Sequence, residues 1–407
     1  MADIRMRGFS QRTTVHQFEA LIREHCRPLG TEEVSIAQAG RRVLAEPVVS
    51  GVDVPGFERS AMDGYALRSE ETFGAGTYNP LQFRVIGEVT PGRTFPGRVG
   101  PGETVRIMTG APLPDGADAV LMAEYAAERD GVMTASDAVT PRKNVGRIGE
   151  DIRAGSTVLP AGRVLRPQDL GVLASIGQGR VRVVRRCGVA LLITGNELLR
   201  PGERPQGARI VDSNSIMLAQ LIARDGAQLA ATLHLADIRD DIRAALSDAP
   251  GDLLVTTGGT SVGIEDHAPT LIAELGELLV HGVAMRPSAP SGFGLVKGRP
   301  VFLLPGNPVS CLAAYDFFVR LGVNLLGGRP EPWPYRPVRC TLTSRIASQI
   351  GRVDYARVRV RDGQAELVAT SGASILSSTS QADGFVVVEE DSEGIPAGGE
   401  AQVWLYD

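Results

Sequence analysis

Lysine is almost missing from this 407-residue chain: Lys143 and Lys297 are the only two, so nearly all of the 42 basic side chains are arginine. Against them stand 47 acidic residues, and the resulting net charge of −5 excludes a broad nucleic-acid footprint. Cysteine is scarce and scattered; Cys26, Cys187, Cys311 and Cys340 form no C-x-x-C pair, and the five histidines show no ligand spacing. Both patterns speak against a zinc site. No run of about 18 apolar residues is present, which excludes an ordinary membrane-spanning helix. The opening MADIRMRGFSQRTT lacks the apolar centre of a signal peptide. The expectation is a cytoplasmic protein with reduced thiols that binds neither membrane nor nucleic acid. What remains is ordinary globular composition, 43% hydrophobic and 22% charged, enough chain for about three domains.

The texture changes along the chain. Residues 13–49 read as helical and amphipathic, with Thr14 capping a helix that carries Val15, Phe18, Leu21 and Ile22. From 50 to 149 Gly and Pro crowd in around short strand-like runs at Phe83–Ile86, Thr104–Met108 and Ala119–Met122. A helical pattern returns around Pro167–Ile176, so the β module reads as an insertion into a helical framework formed by 10–49 and 150–183. Between 184 and 333 unalternating apolar runs (Val189–Thr194, Leu253–Thr257, Val301–Leu304) interleave with helical stretches at Ser213–Arg224, Asp240–Ala249, Ala268–Leu275 and Val309–Leu325. That alternation predicts a three-layer α/β domain with a mainly parallel sheet. After the prolines of RPEPWPYRP, residues 334–407 predict a small β domain, with Asp362-Gly363 as a hairpin turn. The fold class is multidomain α/β plus β.

Three loops at strand ends carry the legible chemistry: Thr194-Gly195-Asn196-Glu197, the run from Gly258 to Gly263, and Leu304-Pro305-Gly306-Asn307-Pro308. Ligands of open parallel sheets bind beyond the carboxyl ends of the strands, where glycines admit close approach and helix N-termini favour anions. Gly259-x-Ser261-x-Gly263 also matches a nucleophile elbow. The hydrolase reading fails on its partners: Asp266 and His267 are adjacent and too close to Ser261, and His281 is the only later histidine. Asp212-Ser213-Asn214 reads as a capping cluster, and Asp237 and Asp240 as helix-opening carboxylates.

Six stretches in order, SAMDGYA (60–66), RIMTGAP (106–112), GEDI (149–152), TGNEL (194–198), GGTSVG (258–263) and LPGNPVS (304–310), resemble the molybdopterin molybdenumtransferase family, the MoeA type that includes the C-terminal part of gephyrin. The resemblance implies a cytoplasmic homodimer that takes adenylylated molybdopterin and molybdate to molybdenum cofactor and AMP with Mg²⁺. Other implied partners are the upstream adenylyltransferase and cofactor-accepting enzymes. Carried over residue by residue, it assigns polar active-site roles to Asp63, Thr109, Asp151, Glu197, Asp240 and Asp266, with Asp240 and Asp266 as metal ligands. It assigns pterin binding to Gly258, Gly259, Thr260, Ser261, Pro305, Gly306, Asn307 and Pro308. In the family the inserted module reaches the partner's α/β domain, so Asp63 and Thr109 would complete a shared site.

The chain departs from the family where K-P-G-K-P is common: it has Arg286-Pro287-Ser288-Ala289-Pro290, which keeps one charge and loses the other. Asn196 stands where an aspartate is common. Molybdate binding is therefore expected from Arg286, Ser310, Arg357 and Ser374, since a guanidinium offers a planar fork of donors to an oxyanion. The loss at Ala289 favours a rival, a pterin-binding scaffold or carrier without metal transfer. The retained carboxylates favour the enzyme.

Overall fold

The first helix, α1 (Val15–His25), starts where Thr14 and Gln17 close a reciprocal capping box. It stops before Arg27-Pro28, because the residue preceding a proline is pushed out of the helical region. The helix expected across 13–49 is therefore shorter: Thr31–Ser35 is extended and Ile36–Gln38 makes a single 3₁₀ turn. The computed structural model of the chain describes residues 12–259 and 266–406. Its contacts group into two units, one of 34–40 with 46–181, the other of the chain up to Glu33, Arg41–Ala45 and everything from Arg182.

The first of these units is built on a six-stranded sheet. Its strands are β1 (Gly64–Leu67), β2 (Leu81–Val89), β3 (Glu103–Ile107), β4 (Ala119–Met122), β5 (Ala126–Arg129) and β6 (Val132–Ala135), in the order β4-β1-β3-β2-β6-β5. Successive side chains feed two separate cores: Tyr65, Leu67 and Leu121 join Phe83 and Met133, whereas Ala66 and Val120 join Val105 and Ile107. Both faces are covered, which explains why these runs read as continuous rather than alternating. Chain entry and exit lie side by side, zipped by Val48–Val49 against Thr157–Leu159 and by Arg59–Ser60 against Val145–Gly146. The remaining helix, α2 (Pro167–Ser175), is anchored at Asp169, whose buried carboxylate accepts from Arg163 Nε and Nη2 (2.9 and 2.8 Å) and from the Arg166 N–H (2.9 Å).

The other unit holds a second six-stranded sheet. In chain order its elements are β7 (Gly188–Thr194), α3 (Asn214–Arg224), β8 (Gln228–Leu235), α4 (Arg239–Asp248), β9 (Leu253–Thr257), α5 (Ala268–Leu275), β10 (Gly276–His281), β11 (Gly292–Val296), β12 (Arg299–Leu304) and the helical run α6 (Pro308–Leu326). The order is β8-β7-β9-β12-β11-β10; the first four are parallel and the last two return antiparallel. Along β7, Ala190 and Leu192 pack with Ile242, Leu246, Leu271 and Ile272 of α4 and α5. Val189, Leu191 and Ile193 face Phe18, Leu218 and Phe318 instead. Phe18 of α1 stacks on Phe318 with centroids 4.0 Å apart, so α1 belongs to this unit's core. Among the described residues α6 alone is long and apolar enough to cross a membrane, and 94% of that stretch is buried inside the protein.

The last strands, β13 (Arg336–Leu342), β14 (Val353–Arg361), β15 (Gln364–Ala369), β16 (Gly384–Val388) and β17 (Glu400–Leu405), close on themselves in the order β14-β15-β13-β17-β16, with β16 pairing back to β14. The β14–β15 turn is Asp362-Gly363, with φ of 49° and 75°, the positive values a two-residue hairpin demands. Both tryptophans sit where this barrel meets α6: Trp333 lies 5.6 Å from Trp404 and 4.9 Å from Phe317, centroid to centroid. Beside them Asp316, wholly buried, accepts from Tyr335 (2.9 and 3.0 Å) and Arg224 (3.1 Å). All four cysteines are free and buried, and burial pushes the Cys26 thiol up to about 12.

Candidate functional site

The carboxyl ends of β7, β9 and β12 open onto a cavity of about 710 Å³, within the roughly 300–1,000 Å³ usual for small-molecule sites. Its floor is the place where two strand ends approach closely. Gly258 follows β9 with φ of 82°, and a Cβ there would fall 2.1 Å from the Thr194 carbonyl oxygen at the end of β7. Gly306 lies against it, with an added Cβ 3.6 Å from Gly258 Cα. Only glycine fits the first position, and backbone N–H groups are thereby presented without side chains in front of them.

One wall comes from the start of α3. Asp212, buried, accepts from the Ser215 N–H (3.0 Å) through Oδ1 and meets His234 Nε2 at 2.9 Å through Oδ2. Asn214 Nδ2 donates to the Gly306 carbonyl (2.7 Å), and its buried Oδ1 has no hydrogen-bond partner. Read as a plain cap in sequence, this cluster does cap α3, but it also lines the cavity. Its signal was a position directly after the two-residue strand Ile210–Val211. The opposite wall is the start of α6, where the Val309 N–H donates to Ala373 O (2.9 Å) and so draws the 372–376 loop over the helix N-terminus.

The cavity gathers many of the expected residues. Glu197, Gly258, Gly259, Asp266, Pro305, Gly306, Asn307, Pro308 and Ser374 all line it. Thr260 and Ser261 lie outside the described residues. Asp240 is not in the lining; it is exposed in the first turn of α4, where a carboxylate favours the helix N-terminus. Three residues earlier, Asp237 locks the Glu197 loop: its Oδ2 accepts from the Asn196 N–H (2.9 Å), and its own N–H donates to Asn196 Oδ1 (3.2 Å). That places Asn196, the departure from the usual aspartate, in a structural exchange.

The expected molybdate ligands divide. Ser310 is buried, and its carbonyl accepts from Ser288 Oγ (2.7 Å). Arg286 is already engaged by wholly buried Asp354, which is also 3.0 Å from Arg352. Neither Ser310, Arg286 nor Arg357 is in the cavity lining. Arg357, fully buried on β14, donates through Nη2 to Ser371 O, while its Nε and Nη1 have no partner; burial lowers its pKa. In the other unit Asp63 Oδ1 accepts from the Thr109 N–H (2.7 Å) and Oγ1–H (2.8 Å), which holds its carboxyl below the usual range. Asp151 is exposed there, its N–H donating to Val54 O (3.1 Å). Among the described residues no cluster of three His, Cys, Asp or Glu side chains could hold a metal unaided.

Three family models match in succession: the MoeA N-terminal region (domains I and II) over 13–177, a probable molybdopterin-binding domain over 190–324, and the MoeA C-terminal region (domain IV) over 339–406. A molybdopterin molybdenumtransferase 2 of Mycobacterium tuberculosis is 36% identical over 394 residues, covering 93% of this chain and 95% of that protein. The molybdopterin molybdenumtransferase of Haemophilus influenzae is 32% identical over 380 residues, covering 91% and 93%. A crystal structure of the molybdopterin biosynthesis MoeA protein from Pyrococcus horikoshii matches with a TM-score of 0.81 and 31% identity, over 97% of this chain and 100% of that one. With relatives this similar over nearly its whole length, the chain belongs to the molybdopterin molybdenumtransferases, the MoeA family of molybdenum cofactor biosynthesis.

Proposed function

We propose that the cavity at the ends of β7, β9 and β12 holds adenylylated molybdopterin while molybdate enters the pterin dithiolene and AMP leaves. The observation carrying this reading is the single cavity that joins the Glu197 loop, Gly258–Gly259 and the Pro305–Pro308 turn. Bare backbone at Gly258 and Gly306 and the α6 N-terminus suit phosphate oxygens. Asn214 Oδ1 is a free acceptor in the same wall, suited to an N–H of a pyrimidinone edge. The chain need supply no sulfur, since the soft ligands belong to the dithiolene, and its own thiols are buried.

Magnesium fits the donor set. Mg²⁺ takes one or two carboxylates and completes its shell with water and substrate phosphate, and Glu197 and Asp266 line the cavity together. These two would hold it, and bound there it would neutralise charge on the phosphate oxygens. Asp240, exposed on α4, is a weaker candidate than either. For molybdate, Ser374 is the better donor, because it lines the cavity, whereas Arg286 is tied to Asp354 and Arg357 is buried outside the lining.

Asp63, Thr109 and Asp151 belong to the unit that does not contain the cavity. We read them as completing the site of a second copy, in a cytoplasmic homodimer. We also read the α/β region as three-layered, a reading supported by the two sets of helices that cover opposite faces of β7. The test is AMP release from bound adenylylated molybdopterin. Release that requires molybdate supports the enzyme; tight pterin binding with no AMP release would favour the scaffold, to which the loss at Ala289 points.

A further inference from the structure

A second cavity, of about 290 Å³, lies behind the loop that carries Glu197. Its lining includes Asn196, Arg200, Glu203, Arg209 and His234. Leu198 lines both this cavity and the larger one, so a single ribbon separates them. That ribbon is held by Leu198–Leu199 pairing with Ile210–Val211, through Ile210 N–H to Glu197 O and Asp212 N–H to Leu199 O, both 2.9 Å.

Charge is unbalanced here. Two guanidiniums and an imidazole face the cavity against the one carboxylate of Glu203. Other arginines sit against a carboxylate, as in Arg185 with Asp252, Arg106 with Glu128 and Arg163 with Asp169. Among the described residues Arg200 and Arg209 make no ion pair. Arg209 is nevertheless fixed, because Nη2 donates to Leu198 O (3.1 Å) and its remaining N–H groups stay uncommitted. His234 is fixed as well, its Nε2 held by Asp212 at 2.9 Å. Two guanidiniums, one of them anchored, beside a fixed imidazole around a concave space are what a phosphate group requires: planar donor forks for its oxygens and compensating positive charge.

We propose that this rear cavity is a binding site for a small phosphate-type dianion, held by Arg200 and Arg209 and sensed by His234. At this size it takes a phosphate or the phosphate end of a small molecule, not a whole cofactor. His234 joins it to the larger cavity, because Asp212 lines that cavity and caps α3.

The test titrates the full-length protein with inorganic phosphate and with AMP, by calorimetry and by NMR of ¹³C-labelled histidine. His234 is one of only five histidines, and His234→Asn identifies its signal. Expected are saturable binding, movement of the His234 resonance, and at least tenfold weaker binding in Arg200→Ala/Arg209→Ala. Arg200→Ala alone leaves the Leu198 anchor intact and should still weaken binding several-fold. Tighter binding of AMP would make the ligand a nucleotide, and equal binding would make it phosphate; both support the site. An unmoved His234 signal, or a double variant that binds phosphate as tightly as the parent, would overturn it.

Discussion

Replacing Gly258 by alanine tests whether the cavity floor is as tightly built as described. The backbone there has φ of 82°, and left-handed backbone costs a residue with a side chain roughly 1–2 kcal/mol. The new methyl would lie 2.1 Å from the Thr194 carbonyl oxygen, far inside an ordinary contact of about 3.5 Å. Neither partner can rotate away, since both are backbone at the ends of neighbouring parallel strands, where Ile193 pairs with Thr257. Relief therefore requires a backbone shift, and overpacking of this kind costs about 1–3 kcal/mol. Together the terms predict a loss of about 2–5 kcal/mol, a large share of the stability of any domain. Gly306→Ala is the control, because its Cβ would meet Gly258 Cα at 3.6 Å, an ordinary contact. It should fold within about 0.5 kcal/mol of the parent, yet bind AMP or the pterin substrate more weakly, since the methyl enters the cavity. Urea unfolding of the three proteins measures both expectations. A parental midpoint for Gly258→Ala, or an equal loss in Gly306→Ala, would refute the argument.

Glu197→Gln should reduce molybdate-dependent AMP release at least tenfold, roughly 1.4 kcal/mol of barrier, whereas Asp240→Asn, exposed on α4, should change it less than twofold; single-turnover assays of the two variants separate these roles. Asp169 has its pKa lowered by Arg163 first, despite burial, so it contributes stability above the unfolded carboxylate range near 3.9 that is lost as pH falls through its depressed native value. Asp169→Asn should cost about 3 kcal/mol at neutral pH and flatten the acid limb of a thermal-melt profile. Thr109→Val should raise the Asp63 pKa toward the ordinary carboxylate value by removing one of its two donors, an effect read by ¹³C NMR titration of the carboxyl.

Where the sequence was most legible, one physical signal dominated. Leu253–Thr257 and Ala119–Met122 have every residue buried or nearly so, and their unbroken apolar runs announced them to the residue. Asp362-Gly363 announced its turn because few other pairs accept two positive φ values. Three strands of the α/β sheet went unread for opposite reasons. β8 is a half-exposed edge, whose QLAATLHL lacks a clear run. β10 and β11 carry Gly276, Gly292 and Gly294, which look like turns but let the two backbones pack tightly. At the site, motif order located the cavity loops, but spacing alone could not separate Asp237 from Asp240. The choice depends on which carboxylate lies beside Asn196 once β7 and β8 are paired.

The pairing of Trp333 with Trp404 has an optical consequence. These are the only tryptophans in the chain, and both report from the junction of the barrel with α6. Intrinsic tryptophan emission is therefore blind to the sheet of β1–β6 and to residues 34–40 and 46–181 as a whole. Melting of that unit would leave the emission maximum unchanged while far-UV dichroism falls. A gap between the two midpoints would give the separate stabilities of the two units from a single unlabelled sample.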